Sequence, residues 1–199
     1  MVRAIQLAHV PPELTLFVAL FRDVKNAAFL REQLLAANAD FEYAFIDATT
    51  IISTKHALAA AFRAINDFLN ERLKSRNVHS EIVFSLSPNN NIGEAFRRFG
   101  VSETTGNLLV VKVATQAEIT EESVTRHLSE NIDGQEVAFE DASLRTICDT
   151  SRIKKLYKIA SIPARKTDKQ VNGEAENNID QTKNLEVQIL GAMALRGAA

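Results

Sequence analysis

Short apolar runs alternate with longer helical stripes along the chain, and their order predicts its elements. Over residues 14–21, Leu14, Leu16, Val18 and Leu20 face one way while Phe17, Ala19 and Phe21 face the other, the pattern of a central strand covered on both sides. Over residues 26–37, Ala27, Leu30, Leu34 and Leu35 recur at helical spacing, with Asn38-Ala39-Asp40 as the stop. The aromatic and branched residues of 41–47 predict a second strand. Residues 53–74 predict the longest helix, because Leu58, Phe62, Ile65, Leu69 and Leu73 advance by 4, 3, 4 and 4 residues along one stripe.

The pattern over residues 78–86 suits both periods: Val78, Ile82 and Leu86 fit a helix face, and Ile82, Phe84 and Leu86 fit a strand, with the helix preferred. Asn91 and Glu94 have the spacing of a capping box, Ile92, Ala95, Phe96 and Phe99 supply an apolar face, and Gly100 stands where a left-handed cap ends a helix. Residues 107–113 predict a strand beside the first, apolar on both faces through Leu108, Leu109, Val110 and Val111. Thr120 is placed as an N-cap between the staple positions Ile119 and Val124, opening a helix to about residue 130. Helices are also expected over 141–148 and 151–161, the second burying Ile153, Leu156, Tyr157 and Ala160.

Residues 163–184 hold too few apolar side chains to offset chain ordering and read as a flexible polar linker. Leu185, Ile189, Leu190 and Met193 then resume helical spacing, so 185–199 is expected to dock back as a final helix. The fold class that follows is α+β, a small, mostly antiparallel sheet packed with several helices in a single domain over 1–162.

Composition narrows the chemistry. At 199 residues and 46% hydrophobic the chain has material for one core. Its apolar runs fall short of the roughly 18 residues of a membrane span, so no membrane partner is expected. A single cysteine, Cys148, closes no internal disulfide and fits a reducing compartment, nucleus or cytoplasm. The seven glycines are too scattered for a phosphate-cradling loop, and the four histidines, His9, His56, His79 and His127, lie too far apart for paired ligands on one helix. No metal and no cofactor is expected. His79-Ser80-Glu81 holds the residue types of a hydrolytic triad, yet chain neighbours point to different faces and form no relay. Cys148 sits in an apolar register, where an inert buried thiol and a nucleophile remain open alternatives. Asn89, Asn90 and Asn91 after Pro88 fit turn and capping chemistry. No catalytic constellation emerges, and the chain is read as a non-enzyme.

Charge is uneven. Residues 117–141 carry eight acids and one base, whereas 152–169 carry seven bases and one acid. Such a basic segment suits phosphate neutralisation, the alternative being a solvated helix face and a soluble linker.

The stretch Val78-His79-Ser80-Glu81-Ile82-Val83-Phe84-Ser85-Leu86-Ser87-Pro88-Asn89-Asn90-Asn91-Ile92, continuing through Ala95-Phe96-Arg97-Arg98-Phe99-Gly100-Val101-Ser102, resembles the kinase-binding subunit family of the EKC/KEOPS complex, also called the PRPK-binding protein family. Residues 16–27, Ala57-Leu58-Ala59-Ala60-Ala61 and Ile153-Lys154-Lys155-Leu156-Tyr157-Lys158 support the resemblance, which covers most of 14–162. It implies an α+β domain without catalysis of its own that binds the small-lobe side of the complex's kinase-like ATPase. Through that partner it implies support of threonylcarbamoyladenosine formation on tRNA, contact with the tRNA acceptor end, and roles in telomere maintenance and transcription in fungi.

On this reading Asn90, Asn91, Ile92, Phe96, Phe99 and Val101 are expected at the kinase surface, since Ile92, Phe96 and Phe99 exceed what a short surface helix needs, with core packing the alternative for all three and at least its equal for Phe96. Lys74, Arg76, Lys154, Lys155 and Lys158 are expected at the tRNA backbone. A stand-alone RNA-binding adaptor and an interaction module for another kinase are the competing functions.

Overall fold

The computed structural model describes residues 2–159 and 174–196. Among them, strands Arg3–Ile5 (β1), Leu16–Arg22 (β2), Ala44–Asp47 (β3), Leu108–Val113 (β4) and Gln135–Val137 (β5) form one sheet in which every pairing is antiparallel. β2 and β4 make its centre, β3 lies outside β4, and β1 and β5 share the far edge of β2, one along residues 16–18 and the other along 20–22. Among the described residues eight α-helices accompany the sheet: Ala27–Leu35 (α1), Thr54–Leu69 (α2), Val78–Ser85 (α3), Ile92–Phe99 (α4), Glu121–Asn131 (α5), Asp141–Ile147 (α6), Thr150–Leu156 (α7) and Glu174–Ala194 (α8). This is the α+β architecture that the hydrophobic pattern predicts. None of these helices is long and apolar enough to cross a membrane.

Strand alternation sorts the core into two layers. Leu16, Val18, Leu20, Ile46, Leu109 and Val111 point to one face, where α2, α3, α6, α7 and α8 pack. Phe17, Ala19, Phe21, Phe45, Leu108 and Val110 point to the other, under α1 and α5, which contribute Leu30, Val124 and Leu128. The central strands are therefore apolar on both sides because both sides are covered. β1 and β5 escape a sequence reading: at three residues each they have no period of their own and owe their conformation to the edge of β2.

Several expected boundaries and faces change. α2 ends at Leu69 rather than residue 74, because Glu71 turns left-handed (φ 55°) and Arg72 N–H closes the turn on the Asp67 carbonyl at 2.7 Å. Its buried face is His56, Ala57, Ala60, Ala61, Ala64 and Ile65, so of the expected leucine and phenylalanine stripe only Ile65 is fully inside. Alanine is what close approach between α2 and α3 selects, and Phe62 and Leu69 are left exposed at the margin. Leu35 likewise ends 71% exposed on α1. α3 is buried on all sides except Ser80, which is why its pattern carried two periods at once.

α7 stops at Leu156, and Lys158 (φ 53°) closes it with an Ile159 N–H to Lys154 carbonyl bond; residues 160 and 161 of the expected helix lie outside the described residues. α8 begins at Glu174, eleven residues before the expected start, so 174–184 is helical rather than linker, while 163–173 lies outside the described residues. It seats Leu185, Ile189 and Met193 in the core. Lys55 pairs with Glu186 at the start of α2, and Arg63, about two turns further on, donates to the Met193 carbonyl, so α8 runs parallel to α2.

Asn91 caps α4 by accepting from Glu94 N–H at 2.9 Å, but Glu94 turns its carboxylate to Asn89 and Arg98, so the expected reciprocal box does not close. Gly100 is extended (φ −73°, ψ 168°) rather than left-handed. Its need is close approach: a Cβ there would stand 2.6 Å from the Phe96 carbonyl oxygen. Gly100→Ala is expected to cost about 1–3 kcal/mol, read as a lower urea midpoint. An unchanged midpoint would show that the backbone relaxes freely at this point.

Candidate functional site

A groove of about 610 Å³ opens where α1, the loop before α3 and the exit from α4 converge over the end of β3. Its apolar walls are Leu34, Leu35, Val83 and Phe96, above the rings of Phe41 and Tyr43. Arg31, Arg76 and Arg97 line it as well. Arg31 is paired with Glu103 at 2.9 Å, whereas Arg76 and Arg97 are exposed and make no ion pair among the described residues.

Most polar side chains of the groove are already engaged with their own loops. Asn38 accepts from Asp40 N–H and donates to Gln33, Asn77 caps α3 by accepting from Ser80 N–H at 2.9 Å, and the Ser102 hydroxyl bonds that of Thr105. What the groove offers a ligand is therefore apolar surface and guanidinium, with the Glu42 carboxylate and the Arg31-paired Glu103 at its rim.

Behind the groove lies a stacked cluster. Tyr43 stacks on His127 at 5.4 Å and hydrogen-bonds its Nδ1 at 3.1 Å, while the Lys112 ammonium stands over the Tyr43 ring and donates to the Glu42 carbonyl. Burial, with Asp40 nearby, pushes the Tyr43 phenol up to about 12. Burial lowers His127 and Lys112. A neutral imidazole beside a phenol that keeps its proton makes a rigid wall, not an acid–base pair.

The expected RNA-contacting residues fall in two places. Lys74 and Arg76 sit exposed on the loop between α2 and α3, and Arg76 reaches the groove. Lys154, Lys155 and Lys158 are exposed on α7 and its cap, opposite Ile153 and Tyr157, which are buried. α7 is tied to the groove wall through Arg152, which donates to Asp47 Oδ2 at 2.7 Å, Thr49 Oγ1 at 2.9 Å and the Arg98 carbonyl at 3.2 Å. Arg31, Arg97 and Arg152 were not among the sequence candidates; their basic character was legible, their convergence was not.

Of the residues expected at a kinase surface, Asn90 and Asn91 are exposed and Ile92 is half-buried at the start of α4, while Phe96 and Val101 line the groove. Phe99 is a correction: at 0% exposure, edge-on to Tyr157 at 5.8 Å, it is core and offers nothing to a partner. The larger exposed apolar side chains are Leu35 (71%) at the groove and, away from it, Phe62 and Leu69 on α2, Val187 (66%) on α8 and Leu195 (69%) just after it.

The triad-like residues each have a separate structural partner. His79 Nε2 accepts from Val113 N–H at 3.0 Å, Ser80 closes the cap on Asn77, and Glu81 Oε2 accepts from Lys74 N–H, Ser75 N–H and the Ser75 hydroxyl. Cys148 is half-buried, and burial raises its thiol, the direction opposite to a nucleophile's.

The model of the family described as kinase binding protein CGI-121 matches residues 21–197, which spans β2 through α8 and so takes in both the groove and α7. The chain belongs to the CGI-121 kinase-binding family. Curated relatives agree over nearly the whole length. An EKC/KEOPS complex subunit cgi121 of Aspergillus terreus is 53% identical over 194 residues, 98% of this chain and 96% of the relative. The subunit of the same name in Coccidioides immitis is 50% identical over 198 residues, 96% of each chain. That of Schizosaccharomyces pombe is 36% identical over 148 residues, 74% of this chain and 84% of the relative. Membership of the CGI-121 family thus rests on the whole domain rather than on the 78–102 block alone.

Proposed function

We propose that this chain is a non-catalytic subunit of an EKC/KEOPS complex that docks the complex's kinase-like ATPase and contacts the acceptor end of tRNA, supporting threonylcarbamoyladenosine formation in cytoplasm and nucleus. Family membership supports the kinase. The observation that carries the RNA contact is the set of exposed cations, Arg76 and Arg97 at the groove and Lys154, Lys155 and Lys158 on α7 and its cap, connected through the Arg152 to Arg98 carbonyl bond. Unpaired bases would lie against Leu34 and Leu35 while the cations take the phosphates. Telomere and transcription roles would follow from the same assembly.

Kinase contact is assigned to the start of α4, Asn90, Asn91 and Ile92, with Phe96 and Val101 behind it, and to the apolar residues exposed on α8 and just after it. Docking changes the ATPase rate to the extent that this subunit binds one kinase conformation more tightly than another.

Size-exclusion chromatography with light scattering, mixing the chain with the purified kinase subunit, is expected to give a one-to-one complex. Ile92→Asp, and Val187→Asp with Leu195→Asp, are each expected to weaken it at least about tenfold in a still-folded protein; full retention in either variant removes that patch from the contact, and no complex with wild type ends the kinase reading. For tRNA, Lys154→Glu with Lys155→Glu is expected to weaken binding by more than about tenfold and to flatten the log K against log[salt] slope by about 1.5, two phosphate contacts' worth. Unaltered affinity and slope would remove α7 from the contact.

A further inference from the structure

At seven residues α7 is too short to hold itself together, yet it carries two of the proposed RNA-contacting lysines and its closing turn a third. Two anchors fix it. Ile153 and Tyr157 enter the core on one side, and the Tyr157 hydroxyl donates to the Leu86 carbonyl at 2.5 Å and bonds His56 Nε2 at 2.8 Å. Both contacts lie on the buried side of the helix.

The second anchor is Arg152. Its fork spans Asp47 at the end of β3, Thr49 in the following turn and the carbonyl of Arg98 in the last turn of α4. Asp47 is itself held, because Oδ1 accepts from Thr49 N–H at 3.1 Å and from the Thr49 hydroxyl at 2.7 Å. The same turn receives Asp149 N–H on the Thr49 carbonyl, and Asp149 caps α7 by accepting from Arg152 N–H at 2.9 Å. One guanidinium thereby locks α7 to both elements that form the back of the groove, where Gly100 and Val101 follow α4.

We infer that Arg152 and Asp47 form a positioning clamp that sets Lys154, Lys155 and Lys158 in register with the arginines of the groove, an inference that rests on the tRNA reading above. All three of the Arg152 hydrogen bonds go to protein oxygens, so its charge is spent inside the chain. Asp47, an acid close to a basic surface, would by charge alone oppose RNA binding. The clamp reverses that sign: neutralising Asp47 releases the lysines and weakens binding.

The test uses the full chain, an unmodified full-length tRNA and two substitutions. Asp47→Asn keeps the shape but turns an amide donor on the guanidinium, and Arg152→Lys keeps the charge but not the fork. Each is expected to weaken tRNA binding by about tenfold, the size of one or two lost phosphate contacts, and the double variant to add nothing further. Hydrogen–deuterium exchange is expected to quicken over 150–159 while β2 and β4 stay protected, which also shows that the variants fold. Tighter binding by Asp47→Asn, or full retention by Arg152→Lys, would overturn the clamp and make Arg152 a phosphate ligand. Unchanged exchange over 150–159 overturns it whatever the RNA result. Failure of the wild type to bind tRNA is a different outcome, which fells the RNA reading itself.

Discussion

Acidification from pH 7 to pH 4.5 is expected to cost this fold about 5 kcal/mol through two histidines alone, enough to unfold a domain of ordinary stability. His56 and His79 are buried neutral, and burial lowers both to about 3, with Lys112 adding to the effect at His79. Each imidazole is committed as an acceptor: His56 Nδ1 to Ile52 N–H and His79 Nε2 to Val113 N–H. Below about pH 6.5 the unfolded chain takes up protons that the native chain refuses, so stability falls as pH falls. The contribution is complete above pH 6.5 and is lost between there and pH 3, at about 1.4 kcal/mol per pH unit for each histidine. Urea midpoints at pH 7.5 and pH 5 measure it, and His79→Gln is expected to shrink the difference between them. Equal midpoints in the wild type would mean that these side chains reach water.

Phe99→Ala is expected to destabilise by about 3–5 kcal/mol, the cost of emptying a ring-sized space that its neighbours only partly refill. Phe99 is wholly buried between α4 and α7, where its ring meets that of Tyr157. Ile92→Ala at the half-exposed start of the same helix is expected to stay within about 0.5 kcal/mol. Chemical denaturation of both separates core from surface on one helix, and a loss under about 1 kcal/mol for Phe99→Ala would contradict its placement.

That pair shows what the sequence conveys. Spacing identified α4 and its apolar face, but period alone does not say which end of a short face is buried, and only the approach of α7 settles it for Phe99. In α2 the stripe of large residues drew attention to Phe62 and Leu69, whereas the buried contact is made by alanines that any scale of hydrophobicity ranks lower. The strands of 14–21 and 107–113 were legible as neighbours because both faces of each are apolar, and they pair from Leu16 opposite Val113 to Phe21 opposite Leu108.

The candidate site was less legible than the fold. Lys154 and Lys155 stand out as a cluster, but Asp47 and Arg152 lie 105 residues apart, and no local pattern marks either as the other's partner. The groove is invisible for the same reason: Arg31, Arg76 and Arg97 come from three separate segments. Neighbouring chemistry can be read along a chain, but convergence needs the fold.

The parallel seating of α8 against α2 bears on how the protein is made. Arg63 meets the Met193 carbonyl across 130 residues, and Arg196 lays its guanidinium on the Phe84 ring and donates to the Phe84 carbonyl. A chain leaving the ribosome in order presents α2, α3 and the sheet long before the helix that closes over them. During that interval the apolar seam kept for Leu185, Ile189 and Met193 is open to solvent. Closure of this core thus waits on a helix made well after the sheet, and until that helix docks the seam is a surface open to aggregation.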